Sequence, residues 1–358
     1  MAKIKIPCPA CDVVHQYDDE QCGHRIKCPH CKELVLLPKA ACSDVPPQER
    51  HQTKRKFRRT ALLIVVLFLA AAIAMIALWS FQPTLIHWPD RRPIGTLFLA
   101  SNFYSSDTNP RGWFNDPTLD VTGPDGAEQF RKALMKYTDR SIEVLKRTGA
   151  QGVIVWDLEG EQYSHKTSYI GDPRLLGRLA PEMAAAADEF FKRLRNAGLK
   201  VGVTIRPQQL VFEHGQPRQS QVLDIKQILL EKIDYAKSRW GATLFYIDSN
   251  GGVRRPDEVW QLRSLAKERP DVLLIPEHHY LPYWAFSAPY VALRKGNSSM
   301  TARWTQKLFP GSFQVLDFGD ADADGTKLAA AWRRGDILLF RAWFWSSACE
   351  LLENYKHK

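Results

Sequence analysis

Four short apolar runs in the second half of this chain each end in charged or polar residues. They occupy residues 152–159, 200–206, 243–250 and 272–279. Each is rich in β-branched and aromatic residues and apolar throughout, as a parallel strand buried on both faces should be. A charge is costly inside such a strand, so it belongs at the exit, where the chain reaches solvent. In a (β/α)8 TIM barrel those exits converge on one mouth, where active sites lie. The alternation extends over residues 94–354. Strands are expected at 94–99, up to Asp157, up to Arg206, up to Asp248, up to Glu277, and at 290–293, 313–316 and 337–340. Helices are expected at about 127–147, from Pro181 to before Gly198, and at about 224–239, 257–267, 326–333 and 347–355. Pro181 suits a first helical turn, and Gly149 and Gly198 suit helix ends. A doubly wound open sheet is the alternative. It loses its main support because no Gly-x-Gly-x-x-Gly or P-loop pattern follows the first strand.

The 358 residues exceed one ordinary domain. Residues 61–79 are uncharged; as a helix they would reach roughly 28 Å, close to a bilayer core of about 30 Å. A single-pass transmembrane helix is expected there, as an uncleaved anchor because about 60 residues precede it. Arg50, Lys54, Arg55, Lys56, Arg58 and Arg59 precede the run, whereas Arg91 and Arg92 follow only beyond it. The positive-inside rule then places the N-terminus in the cytoplasm and the C-terminal domain outside, at the cell membrane. The expected domains are a zinc ribbon (1–38), a basic linker (39–60), the span (61–79), a linker (80–93) and the barrel (94–358). Trp79 and Trp88 are candidate interfacial anchors. Residues 1–60 carry 12 Lys+Arg and 7 Asp+Glu, so +5 of the net +10; the rest is spread over almost 300 residues. Nothing there concentrates into a nucleic-acid footprint, and no nucleic-acid partner is expected.

Residues 8–31 read Cys8-Pro-Ala-Cys11, sixteen residues, then Cys28-Pro-His-Cys31. Two such knuckles put four thiolates in reach of one tetrahedral Zn²⁺, a closed structural site. Such a metal stabilises a segment too short to hold a core. A disulfide pair, or Cys22, His24 and His30 as ligands, are the alternatives. Cys22 and Cys42 are expected to be free thiols. With Gly23, Ile26 and Lys27, this segment resembles small bacterial zinc ribbons. Such a ribbon could dock a cytoplasmic protein partner.

Asp157, Glu159, Arg206, Asp248, Glu277, His278, Asp317 and Arg341 should all lie near one rim. Carboxylates around a cleft, with loop aromatics Trp113, Trp284, Trp343 and Trp345, suit carbohydrate cleavage. One carboxylate must be ionised and another protonated, and repulsion with partial burial separates them. Residues 198–207 and 245–250 resemble the third and fourth strands of α-galactosidase- and α-glucosidase-like glycoside hydrolases. That resemblance implies that Asp248 is the nucleophile. Those families take their acid/base Asp from the sixth strand, but residues 280–312 here contain no Asp or Glu. Glu277 is then the natural acid. Asp248, Glu277 and Asp317 also match the placement in α-amylase-like barrels, although their Arg two residues before the Asp is Tyr246 here.

Asp248 and Glu277 are therefore the catalytic candidates. Asp157, Glu159, Arg206, Asn250, His278, Asp317, Arg341 and Trp343 are candidates for substrate binding. Asp248 could instead cap a turn, and Glu277 could form a structural ion pair. His278 and His279 are adjacent and would point opposite ways, so no catalytic metal is expected. Two functions remain: a membrane-anchored extracytoplasmic glycoside hydrolase, or a non-catalytic glycan-binding or envelope scaffold barrel.

Overall fold

The computed structural model describes residues 3–37, 39, 64–71, 86–160, 171–251, 255–278, 280–293, 303–319 and 325–356. The chain divides into two compact units, Met1–Trp79 and Ser80–Lys358.

The second unit is a parallel barrel. Its strands are β1 (Ile94–Leu97), β2 (Gly152–Val155), β3 (Lys200–Ile205), β4 (Leu244–Ile247), β5 (Leu273–Pro276), β6 (Tyr290–Ala292), β7 (Val315–Asp317) and β8 (Ile337–Arg341). They form one eight-stranded sheet in the order β5-β4-β3-β2-β1-β8-β7-β6, with β8 pairing β1 in parallel. The sheet almost closes. Between β5 and β6 the seam is bridged by the Ala288 N–H, which donates to the Leu274 carbonyl at 3.0 Å. The helices are α1 (Gly126–Arg147), α2 (Pro181–Asn196), α3 (Ile225–Trp240), α4 (Pro256–Glu268), α5 (Arg303–Leu308), α6 (Gly325–Arg333) and α7 (Ser347–Lys356).

The apolar runs are explained by two core layers. In β4, Leu244 and Tyr246 join the cluster inside the barrel, whereas Phe245 and Ile247 pack under the helices. Ile154 in β2, Leu273 and Ile275 in β5, Val315 in β7, and Ile337 and Leu339 in β8 also point inward. Their neighbours Val153, Val155, Leu274, Leu316, Leu338 and Phe340 point outward. Both faces are dry, so strand residues short of the ends are apolar, aromatic or small. At Gly202 in β3, an added Cβ would lie 2.1 Å from the Leu244 carbonyl oxygen, so only glycine fits that register.

The first unit contains two hairpins, Lys3–Pro7 with Val14–Asp18, and Arg25–Lys27 with Leu34–Leu36. Each leads into one cysteine knuckle. The Asp12 and Lys32 N–H groups donate back to the Cys8 and Cys28 carbonyls at 2.8 and 3.0 Å.

Four expectations are overturned. The membrane span is not supported: among the described residues no helix is long and apolar enough to cross a membrane. The described part of that run, residues 64–71, is helical. Residues 61–63 and 72–79 lie outside the described residues, as do 40–60 and 80–85. The single-pass localisation, N-terminus in the cytoplasm and barrel outside, falls with the span. Trp88 is not an interfacial anchor but belongs to the cluster inside the barrel, its indole N–H donating to Gln151 Oε1 at 2.9 Å. Cys22 is disulfide-bonded rather than a free thiol; Cys42 lies outside the described residues.

Candidate active site

Strand alternation decides which charged ends enter the barrel. Arg206, Asp248, Glu277, Asp317 and Arg341 continue the inward register of Thr204, Tyr246, Ile275, Val315 and Leu339. Asp157 continues the outward register of Val155. Accordingly its carboxylate is turned onto backbone, accepting the Leu99 and Ala100 N–H groups at 2.8 and 2.7 Å. That pins the chain after β1 to β2, and Asp157 is nearly fully buried.

Asp248 and Glu277 come together. The Arg206 guanidinium, 1% exposed, donates from Nε to Asp248 Oδ2 at 2.6 Å, with Nη2 on the same oxygen. The Ser249 hydroxyl donates to Asp248 Oδ1 at 3.3 Å. Ser249 sits in the left-handed region at φ +57°, an unfavourable state for a serine. This conformation aims its N–H at Glu277 Oε2, 2.8 Å away. Glu277 in turn shares a side-chain hydrogen bond with Asp248, so the two carboxyl groups are in contact. Burial and the Asp248 charge both push the Glu277 carboxyl above its ordinary value. Arg206 is the counter-ion of Asp248.

Aromatic rings surround the pair. Trp156 lies 4.0 Å, centroid to centroid, from Tyr246, and Tyr246 lies 5.3 Å from Tyr290. The Tyr290 hydroxyl donates to Asp317 Oδ2 at 2.7 Å. Burial, with Glu277, Tyr290, Asp248 and Asp317 around it, holds the Tyr246 phenol well above its ordinary pKa. Tyr246 is thus a neutral phenol among three carboxyl groups.

The other candidates are placed differently. Asn250 is buried; its Oδ1 accepts the His278 N–H at 3.1 Å and its Nδ2 donates to the Tyr283 hydroxyl at 3.2 Å. Tyr283 continues to Glu258 Oε1 at 3.1 Å, so Asn250 ties the β4 and β5 exits together. The His278 side chain is exposed, and His279 lies outside the described residues. The Arg341 guanidinium lies over the Phe98 ring at 5.1 Å. Trp343 packs edge-on against Phe344, and its buried indole N–H has no hydrogen-bond partner among the described residues. Trp113 and Trp284, expected to stack on sugars, are buried, and the Trp113 indole donates to Glu182 Oε1 at 2.6 Å. Trp156, Tyr246 and Tyr290 supply the aromatic surface instead. The register that turns Asp157 outward turns Trp156 inward, a signal present in the sequence.

Glu159 is buried behind the mouth and accepts the Gly171 N–H at 3.2 Å; its Oε1 has no partner among the described residues. Burial pushes its carboxyl up to about 8.

In the first unit, the Cys8, Cys11, Cys28 and Cys31 sulfurs lie within 4.8 Å of one another. The Cys8–Cys31 and Cys11–Cys28 pairs are 3.8 and 3.9 Å apart, and His15 Nε2 is 3.5 Å from the Cys28 sulfur. A tetrahedron with bonds of about 2.3 Å has edges of about 3.8 Å, so the donors fit a metal ion.

No protein-family model matches the sequence, and no curated protein matches it. Among solved structures the chain is similar to an alpha-L-fucosidase, at 10% identity and TM-score 0.39, with 62% of this chain and 55% of that chain covered. The chain therefore spans little more than half of that protein. It is also similar to a noncanonic maltogenic alpha-amylase from Thermotoga neapolitana, at 13% identity and TM-score 0.42, covering 75% and 76%. A bacterial fucosidase aligns at 10% identity and TM-score 0.42, covering 78% and 74%. Likeness at this level bears on neither activity nor substrate, and the site speaks through its own side chains.

Glu159 gives a stability test. Its folded pKa lies above its unfolded one, so between about 4.5 and 8 the folded state holds the extra proton. Stability therefore falls as pH rises through that window. Glu159→Gln removes this slope. Its stability relative to wild type, read by urea unfolding, should improve from pH 5 to pH 8 by on the order of 3 kcal/mol. A difference independent of pH would contradict the buried neutral acid.

Proposed function

We propose that the barrel mouth hydrolyses glycosidic bonds in a carbohydrate substrate, with Asp248 and Glu277 as the working carboxylates. The observation that carries this reading is the split environment of the pair. Asp248 is held by Arg206, whereas burial and the neighbouring Asp248 charge raise the Glu277 carboxyl. A glycosidase needs one such carboxylate to attack or to activate water, and one such acid to protonate the leaving oxygen. Trp156, Tyr246 and Tyr290 offer ring faces beside the pair. Asp317 and Arg341 end inward-facing strands and would contact sugar hydroxyls. Glu159, Asp157 and Asn250 act as supports of the loops.

One observation favours a second reading, a non-catalytic glycan-binding or scaffold barrel. Carboxyl groups in a retaining pair stand about 5 Å apart, with a sugar between them. Here they touch. On the enzymatic reading an entering sugar parts them, and Glu277 carries the proton to the glycosidic oxygen as it leaves Asp248.

For the first unit we infer a structural Zn²⁺ held by Cys8, Cys11, Cys28 and Cys31. Four soft sulfur donors at tetrahedral spacing support it. Bound there, the ion would supply cross-linking and no catalysis, since the four thiolates fill its shell. The hairpins they join have two small apolar clusters of their own, Ile6, Tyr17 and Leu37 in one and Val35 beside Cys8 and Cys28 in the other.

A screen of released sugars from a panel of polysaccharides, using the full chain, tests the first proposal. Wild type should release product, with activity falling as pH rises through the raised Glu277 pKa. Asp248→Asn should lose at least about a hundredfold. Equal release by both chains would remove Asp248 from the mechanism, and binding without release would favour the second reading. For the metal, one zinc per chain is expected by elemental analysis, lost in Cys28→Ala. A chain purified in zinc-containing buffer that carries none would contradict the site.

A further inference from the structure

Lys232 lies on α3, in the layer that packs against the strands, and its side chain is 0% exposed. A lysine in such a place costs several kcal/mol unless its charge is fully bound. Here each ammonium proton has a carbonyl. Nζ donates to Gly171 at 3.0 Å, Arg206 at 2.8 Å and Gln208 at 2.8 Å. Asp172 Oδ2 stands 3.6 Å away as the counter-charge and is itself clamped by Arg174. These carbonyls belong to the segments that follow β2 and β3, on the mouth side of the barrel. An apolar residue would fill the same space in the helix–strand layer at lower cost, so packing does not account for an ammonium there.

The three carbonyls converge on one residue. The Arg206 carbonyl is held by Lys232, and the Arg206 N–H donates to the Gly171 carbonyl at 3.0 Å. Gly171, at φ +96°, lies so close that an added Cβ would be 2.6 Å from Arg206 Cγ. The backbone and the stem of Arg206 are thereby fixed, and its Nε reaches Asp248 at 2.6 Å. A hydrogen bond that short does not survive a 1 Å displacement of its donor.

We propose that Lys232 is a positioning residue that, by gripping the Gly171, Arg206 and Gln208 carbonyls, holds the Arg206 guanidinium on Asp248. The proposal rests on Asp248 being a working carboxylate of the mouth, but its geometry is tested without a sugar. Nitrogen–proton NMR of the full chain follows the exchange of the Arg206 Nε–H with water, the resonance being identified by its loss in Arg206→Lys. Arg111 Nε–H, bonded to the Leu179 carbonyl at 2.9 Å, serves as an internal reference. In wild type the Arg206 proton should exchange slowly. In Lys232→Met it should exchange at least about tenfold faster while Arg111 stays unchanged. A long-range charge effect alone would leave the Arg206–Asp248 bond, and the slow exchange, in place. Lys232→Gln, whose amide can restore part of the grip, should fall between the two. Arg206 exchange within twofold of wild type in the methionine or glutamine variant overturns the proposal. Failure of both variants to fold also overturns it, since Lys232 would then be a core residue. A chain that hydrolyses no polysaccharide yet releases Arg206 in Lys232→Met still supports the positioning role.

Discussion

The alternation of side chains along eight parallel strands governs where every charge in this barrel can go. Both faces of each strand are dry, so charged groups sit at or beyond the strand ends. There the register alone decides between the barrel axis and the helix layer. Arg206, Asp248 and Glu277 leave three neighbouring strands in the inward register, and β3, β4 and β5 are paired side by side. Their side chains therefore converge as a cation, a carboxylate and a second carboxyl. Asp157, one register step out, becomes a backbone clamp instead.

The electrostatics of the mouth follow from that convergence. Two carboxyl groups in contact cannot both ionise cheaply, so one of them is raised. Arg206 settles which, because it is bonded to Asp248 and held from behind by Gly171 and Lys232. Glu277 also ends the strand that borders the seam of the sheet, where a single hydrogen bond from Ala288 to Leu274 bridges β5 and β6 among the described residues. The acid thus stands beside the seam of the sheet. Ser249, held in a left-handed conformation, keeps one N–H on Glu277 meanwhile.

Much of the barrel was legible in the sequence because its signals are local. Pro181 opens α2, Gly241 closes α3 in the left-handed conformation, and Asp224 caps α3 through the Gln227 N–H. Even the weak strands β6, β7 and β8 lie within two residues of their expected places. The hairpin Gln209–Glu213 with Gln216–Ser220 was missed, since its residues carry polar side chains with no clear alternation. Among the site residues, proximity to a strand end was visible, but direction was not used. Counting in twos from Ile154 would have separated Trp156 from Asp157. The burial of Trp113 and Trp284 depends on partners distant in sequence, such as Glu182, and no local pattern announces it. The 61–79 run shows the limit of composition: an uncharged stretch is compatible with a span, yet among the described residues no helix is long and apolar enough to cross a membrane.

The Asp248–Glu277 pair is the centre of this account, and the titration of Glu277 reads it most directly. Carboxyl-carbon NMR of the full chain, wild type beside Asp248→Asn, follows that group without any ligand. The account predicts that Glu277 titrates above the ordinary value of about 4.3 in wild type, and that removing the Asp248 charge brings it down. A Glu277 that titrates at or below its ordinary value, unchanged by Asp248→Asn, would contradict it.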